Sequence, residues 1–336
     1  MFLSHLAVVL HGDRLPFDSN GRLDVLLENI AYIFPGQGSQ FVGMAQDLYN
    51  NFASVKERYE QASDILGFDL TRLSFDGPDE ELSRTDRTQP ALFVHSFVVT
   101  ELLKERGIVP AMVAGHSLGE YSSLAAADVY KFEQGLKLVK LRGRLMQNAG
   151  QTVKGAMAAI IGLDYLAVHN ICQQASHQAL VDLANFNSPD QIVISGTVAG
   201  VESAMSMAEK LGARRVIRLN VSGAFHSPLM KPILAEFLQE LERVEFYKPS
   251  VPVFSNVTGQ ATVDPMEIKM FLGKQLLSPV LWTETIKHMV QGGAEFFLEV
   301  GPGKVLTGLL RKIDRHIETM PVGTVDHLTQ LSERIF

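Results

Sequence analysis

Residues 115–119 read Gly115-His116-Ser117-Leu118-Gly119, behind the apolar run Met112-Val113-Ala114 and ahead of Glu120-Tyr121-Ser122-Ser123-Leu124-Ala125-Ala126-Ala127. A short buried strand that ends in a serine between glycines and opens straight into a helix must turn sharply, and its hydroxyl is left projecting from the sheet edge. The pattern therefore fixes strand, turn and helix in succession. The helix amino end behind the turn supplies backbone N–H groups and a partial positive charge, which stabilise an oxyanion formed when the serine attacks a carbonyl. Ser117 is the candidate acyl-transfer nucleophile. A chance match in a chain with 27 glycines is the competing explanation, and the strand–turn–helix setting argues against it.

Around the elbow, strand and helix signals alternate. The short apolar strand 31–34 runs into Pro35-Gly36-Gln37-Gly38-Ser39-Gln40, a loop of turn formers. Helices are expected over 42–66, 90–106 and 132–147, with the Met112 strand between the last two. Such alternation with crossover helices indicates a mostly parallel sheet. From Gly155 the order becomes strand, helix, strand, strand, helix, strand, which is the split βαβ unit of a ferredoxin-like domain. The α/β texture resumes with Val253-Phe254-Ser255 and Phe296-Phe297-Leu298-Glu299-Val300. The expected fold is thus a large α/β domain with a parallel sheet, residues 30–151 and 223–320, carrying a ferredoxin-like insert at 152–222. Residues 1–29 are expected to be an N-terminal extension outside the domain, and 321–336 a C-terminal tail. The apolar stretch near the start lacks the basic leader and cleavage site of a signal peptide.

Composition excludes several function classes. A chain of 336 residues, 46% hydrophobic, can bury a large core. Its net charge of −7 argues against a nucleic-acid partner. One cysteine, Cys172, allows neither an internal disulfide nor a zinc cluster and fits a reducing, cytoplasmic setting. No run reaches the length of a membrane span.

A nucleophilic serine needs a base. His5 and His11 precede the domain. His116 lies inside the elbow and is expected to point away from Ser117, while His95, His169, His177, His288, His316 and His327 sit in polar or amphipathic, mostly helical surroundings. His226 differs, because Val221-Ser222-Gly223-Ala224-Phe225 before it and Ser227-Pro228 after it make an irregular segment where the chain re-enters the larger domain. From its surroundings alone it is either the base or a structural loop histidine.

Six motifs then occur in order: Phe34-Pro35-Gly36-Gln37-Gly38-Ser39-Gln40, the elbow through Tyr121, Gly155-Ala156-Met157-Ala158-Ala159, Asn185-Phe186-Asn187-Ser188-Pro189, Gly223-Ala224-Phe225-His226-Ser227 and Glu299-Val300-Gly301-Pro302-Gly303. Over about residues 31 to 320 the chain closely resembles the malonyl-CoA:acyl carrier protein transacylases of fatty-acid synthesis and the acyltransferases of polyketide synthases. The resemblance implies an α/β-hydrolase-like large domain with the ferredoxin-like insert. It makes Ser117 the nucleophile and His226 the base, with the backbone carbonyl of Gln275 orienting the histidine in place of a carboxylate. It assigns the oxyanion hole to the backbone N–H groups of Gln37 and Leu118. Arg142 is implied as the holder of the malonyl carboxylate, a task suited to the paired donors of a guanidinium; Arg144 two residues on reads as a solvated helix arginine. Phe225 and Leu118 resemble the bulky choices that accompany malonyl.

The reaction so implied transfers malonyl from malonyl-CoA to the phosphopantetheine thiol of acyl carrier protein through a malonyl-serine ester, with no metal or redox cofactor and with the protein a monomer. An acyl hydrolase of carrier-bound chains shares the serine and histidine but should lack the arginine. A non-catalytic carrier-protein docking module would need none of the three. Fatty-acid and polyketide pathways are not separated by these residues. Because carrier proteins are acidic and this chain is net negative, docking calls for a local basic patch. Lys304, Arg311, Lys312 and Arg315 are expected to lie along one helix and supply it, unless they are an ordinary solvated face.

Overall fold

A computed structural model of the protein describes residues 29–152 and 154–335. The expected extension lies outside the described residues except for Asn29, whose carbonyl accepts the backbone N–H of Glu295 and is thereby tied to the sheet. Ten strands are described: β1 (Ile30–Phe34), β2 (Met112–Gly115), β3 (Gly155–Ile161), β4 (Val181–Ser188), β5 (Gln191–Thr197), β6 (Arg215–Arg218), β7 (Val253–Phe254), β8 (Ala261–Thr262), β9 (Phe296–Val300) and β10 (Glu318–Val322).

Six strands form one sheet in the order β10-β9-β1-β2-β7-β8, parallel throughout except for the β7–β8 hairpin at one edge. The central strands are almost wholly apolar because helices cover both faces, the buried Glu299 of β9 being the exception. Alternation sorts their side chains. Ile30, Tyr32 and Phe34 of β1 enter the larger core with Val113, Phe296 and Leu298, while Ala31 and Ile33 enter a second core with Ala114, Phe297 and Trp282. The α/β fold with its mainly parallel sheet is the expected one.

The other four strands make an antiparallel sheet ordered β4-β5-β3-β6. Together with the helices Tyr165–Ser176 and Val198–Lys210 this is the ferredoxin-like arrangement. Ala156, Ala158, Ile160, Ile192 and Ile194 pack on those helices, whereas Met157, Ala159 and Val193, one residue out of phase, join the core of the large sheet. Main-chain bonds from Phe186 to Val280 and from Val280 to Ala184 stitch β4 to the segment after the helix Pro265–Gln275.

Several expected boundaries change. Residues 321–336 are no tail: β10 is an edge strand of the main sheet, and the helix Val325–Ile335 buries Leu328 and Leu331 on the core that already holds Met320 and Val322. The stretch at 42–66 is two helices, Gln46–Asn51 and Ala53–Leu66, broken where Phe52 is extended. The helix expected from Pro90 begins at Thr85 and runs to Glu105, so Pro90 sits early within it, and the one expected over 132–147 is Phe132–Thr152, which outlasts that end. Among the described residues no helix is long and apolar enough to cross a membrane.

Candidate active site

The elbow is held by contact as much as by conformation. A Cβ on Gly115 would lie 1.9 Å from the backbone of Gly119, and one on Gly119 would lie 2.0 Å from the carbonyl oxygen of Phe34, so both positions admit only hydrogen. Between them Ser117 adopts φ 53°, which is sparsely populated by residues with side chains. Asn256, just beyond β7, secures this turn: its Oδ1 accepts the Ser117 N–H at 2.7 Å and its Nδ2 donates to the Gly115 carbonyl at 2.6 Å.

His226 also has positive φ, 56°, and is buried. Its Nε2 lies 2.8 Å from Ser117 Oγ, and its Nδ1 lies 2.9 Å from the Gln275 carbonyl and 3.2 Å from that of Ser278. Carbonyls only accept, so the proton is on Nδ1 and Nε2 is left as the acceptor for the serine hydroxyl. Burial, and then the nearby positive charge of Arg142, push the imidazole down to about 3. The histidine is neutral and ready to take a proton.

Arg142 comes from the helix Phe132–Thr152 and is buried. Its Nη1 donates to Gln89 Oε1 at 2.8 Å, and its Nη2 to Gln275 Oε1 at 3.0 Å and Ser117 Oγ at 3.1 Å. All three partners are neutral oxygens, so the cation lacks a direct counter-ion and sits beside the nucleophile. The guanidinium lies 5.0 Å from the centre of the Tyr121 ring. Arg144 is exposed and paired with Glu236 at 2.6 Å, as a solvated arginine should be.

Ser117, His226, Arg142, Leu118, Gln37 and Phe225 border one cavity of about 170 Å³. Met157, Asn187 and Val193 of the insert line it too, so it lies between the two sheets. Gln37 and Leu118 have backbone N–H groups without a hydrogen-bond partner among the described residues, on the loop after β1 and at the start of the helix Gly119–Ala126. Gly36 approaches the His116 carbonyl too closely for any Cβ, which brings the Gln37 loop against the elbow.

The structure therefore gathers the sequence-predicted catalytic and substrate residues at one place. The basic patch is different. Lys304, Arg311, Lys312 and Arg315 are exposed, but the helix spans only Val305–Ile313, and Asp314 is extended. Arg315 lies beyond the helix end and shares no helical face with Arg311. Val305, next to Lys304, borders the cavity. One histidine also differs from expectation. His95 is buried and bonded to the Gly323 carbonyl at 2.9 Å, because the unexpected C-terminal strand passes over it. His116 borders the cavity and reaches Asn187 of the insert at 2.8 Å.

Sequence reasoning missed Gln89, Asn256, Glu120 and the side chain of Gln275. Asn256 carried a signal, since polar residues at the carboxyl ends of parallel strands converge on the binding crevice. Glu120 carried another, an acid in an otherwise small and apolar run.

The acyl transferase domain family matches residues 31–326. The malonyl CoA-acyl carrier protein transacylase of Haemophilus influenzae is 44% identical over 309 residues, 91% of this chain and 99% of that protein. Its Bacillus subtilis counterpart is 44% identical over 88% of this chain and 94% of its own length. Among solved structures, an acyl carrier protein S-malonyltransferase from Vibrio cholerae superposes with a TM-score of 0.87 at 46% identity, covering 90% of this chain and 99% of that one. A malonyl-transacylase solved in complex with its type II PKS acyl-carrier protein gives 0.87 at 41% identity, covering 91% and 99%. With full-length relatives at such identity and one fold in common, this chain belongs to the acyl transferase domain family, among the malonyl CoA-acyl carrier protein transacylases.

Proposed function

We propose that this protein moves the malonyl group of malonyl-CoA to the phosphopantetheine thiol of an acyl carrier protein through an ester on Ser117. The observation that carries the reading is the buried Arg142 guanidinium, 3.1 Å from the Ser117 hydroxyl and held by neutral acceptors alone. His226 Nε2 takes the hydroxyl proton as Ser117 Oγ attacks the thioester carbonyl. The developing oxyanion lies against the free N–H groups of Gln37 and Leu118. Collapse breaks the C–S bond, coenzyme A leaves with the proton from His226, and a malonyl-serine ester remains. In the second half-reaction the carrier thiol gives its proton to His226, attacks the ester, and Ser117 recovers its hydrogen. No step calls on a metal or redox group. The reading includes a cytoplasmic monomer, in keeping with a lone cysteine, Cys172, that is buried and unpaired. We place the catalytic unit at about 30–151 and 223–335 and the insert at 152–222.

Arg142→Ala tests the substrate. A charge-assisted pair with a carboxylate in a dry site is worth a few kcal/mol, while a neutral acetyl group gains nothing from the arginine. The ratio of kcat/KM for malonyl-CoA over acetyl-CoA is expected to fall at least about tenfold, equivalent to about 1.4 kcal/mol. A proportional loss for both substrates would show that Arg142 only supports the fold. Radiolabelled malonyl-CoA separates the alternatives: label on the protein marks a transferase, free malonate a hydrolase, and neither a docking module.

For the carrier protein, Lys304, Arg311, Lys312 and Arg315 form the proposed docking patch, with Lys304 beside the cavity-lining Val305. Reversing Lys304 and Arg311 to glutamate is expected to raise KM for carrier protein and weaken its salt dependence, with malonyl loading from coenzyme A nearly unchanged. Unaltered carrier-protein kinetics at low ionic strength would place docking elsewhere.

A further inference from the structure

One buried carboxyl beneath the elbow takes no part in the steps above. Glu120 is only 2% exposed. Its Oε2 accepts from Gln275 Nε2 at 2.6 Å and from the Asn256 backbone N–H at 3.3 Å. Both donors converge on one oxygen, so the other can carry a proton without breaking either bond.

Glu120 is joined to Arg142 by a single amide. The Gln275 side chain that donates to the carboxyl is the one whose Oε1 accepts Arg142 Nη2 at 3.0 Å. Arg142, from the helix Phe132–Thr152, is the cation that faces Glu120. Tyr121 on its own helix and Tyr130 beyond it are pushed far above the ordinary phenol range by burial and stay neutral. Across the cavity, burial holds His226 and His116 below the ordinary imidazole value. The segments at 253–256 and 265–275 present Ser255, Asn256 and Gln275, all uncharged. The empty site thus balances one cation against one anion. A substrate carboxylate adds a second anion, and two carboxylates in one dry site cannot both stay ionised without cost.

We propose that Glu120 is a positioning residue acting through Gln275 and Arg142: it is the counter-charge of Arg142 in the empty site, and it takes a proton from solvent when an acyl group bearing a carboxylate docks on that arginine. The inference rests on the reading of Arg142 given above. Burial already pushes Glu120 up to about 7, so only a modest further push is needed near neutral pH. The proton comes from water on binding and returns to water when the acyl group departs on the carrier. Binding that takes up a proton weakens as pH rises. KM for malonyl-CoA is therefore expected to climb about tenfold between roughly pH 7 and pH 8.5, while KM for acetyl-CoA stays flat.

The deciding measurement mixes Ser117→Ala protein with malonyl-CoA in weakly buffered indicator solution, so that binding occurs without chemistry. At about pH 8, where the empty-site carboxyl is mostly ionised, uptake approaching one proton per site, absent with acetyl-CoA and absent when Glu120→Gln is added, supports the inference. So does a malonyl-CoA KM in Glu120→Gln alone that no longer varies with pH. Binding without proton uptake overturns it, as does uptake that survives Glu120→Gln. If Glu120→Gln does not fold, the malonyl-versus-acetyl comparison in Ser117→Ala decides by itself. Failure of the underlying reading looks different: malonyl-CoA then binds no more tightly than acetyl-CoA, and Arg142→Ala alters neither.

Discussion

Ser117→Ala will abolish covalent labelling by malonyl-CoA and leave the fold intact. The hydroxyl contributes little to packing, and the features that impose the turn lie in neighbours the substitution does not touch: Gly115 and Gly119 keep their close contacts, and Asn256 still bridges the Ser117 N–H and the Gly115 carbonyl. What is lost is, among the described residues, the only atom in the cavity placed both against His226 Nε2 and against Arg142 Nη2. Intact-mass measurement after mixing with malonyl-CoA reads the result directly. An adduct forming at the wild-type rate would move the nucleophile to another residue.

His226→Ala is expected to slow both loading and transfer by about two to four orders of magnitude, the usual scale of general-base catalysis. Both half-reactions suffer because one imidazole serves each in turn. A loss below about fivefold would require another base. The wild-type pH profile gives a second test. With His226 pushed down to about 3 by burial and by Arg142, the base is unprotonated through the working range. At saturating substrate, single-turnover loading should then show no inflection near the ordinary histidine value.

The elbow, the parallel sheet and the ferredoxin-like order were legible because each is written in short local patterns: apolar runs, glycines at a turn, and alternating strand and helix. His226 was narrowed down by its loop setting. Its partner carbonyl on Gln275, the Gln37 and Leu118 N–H groups and the role of Arg142 came from resemblance alone, since main-chain groups leave no residue-type signature. The C-terminal strand was missed because Met320 and Val322 are too few to signal a strand before the sheet edge they join is known. The basic patch was misplaced through helix length: periodicity links Arg311 to Arg315 only if the helix continues, and it stops at Ile313. The Glu120–Gln275–Arg142 connection joins residues more than a hundred positions apart in the chain and became visible only with the tertiary fold.

The partner of the histidine in this protein is a peptide carbonyl, and that choice bears on the bonds it can break. A carboxylate would stabilise the imidazolium by a full opposite charge, whereas a carbonyl offers only a dipole, so the protonated ring is short-lived and returns its proton readily. An amine departing from an amide must be protonated before it can leave, but a thiol with an intrinsic value near 8.5 departs almost unaided. Attack on the less electrophilic carbonyl of an amide needs a stronger base than a ring braced by a dipole alone, whereas the thioester and the Ser117 ester yield to it, which suits a catalyst that works among proteins and must leave their backbones uncut. Because the anchor is main chain, no side-chain substitution at Gln275 deletes it; only a shift of the helix end could.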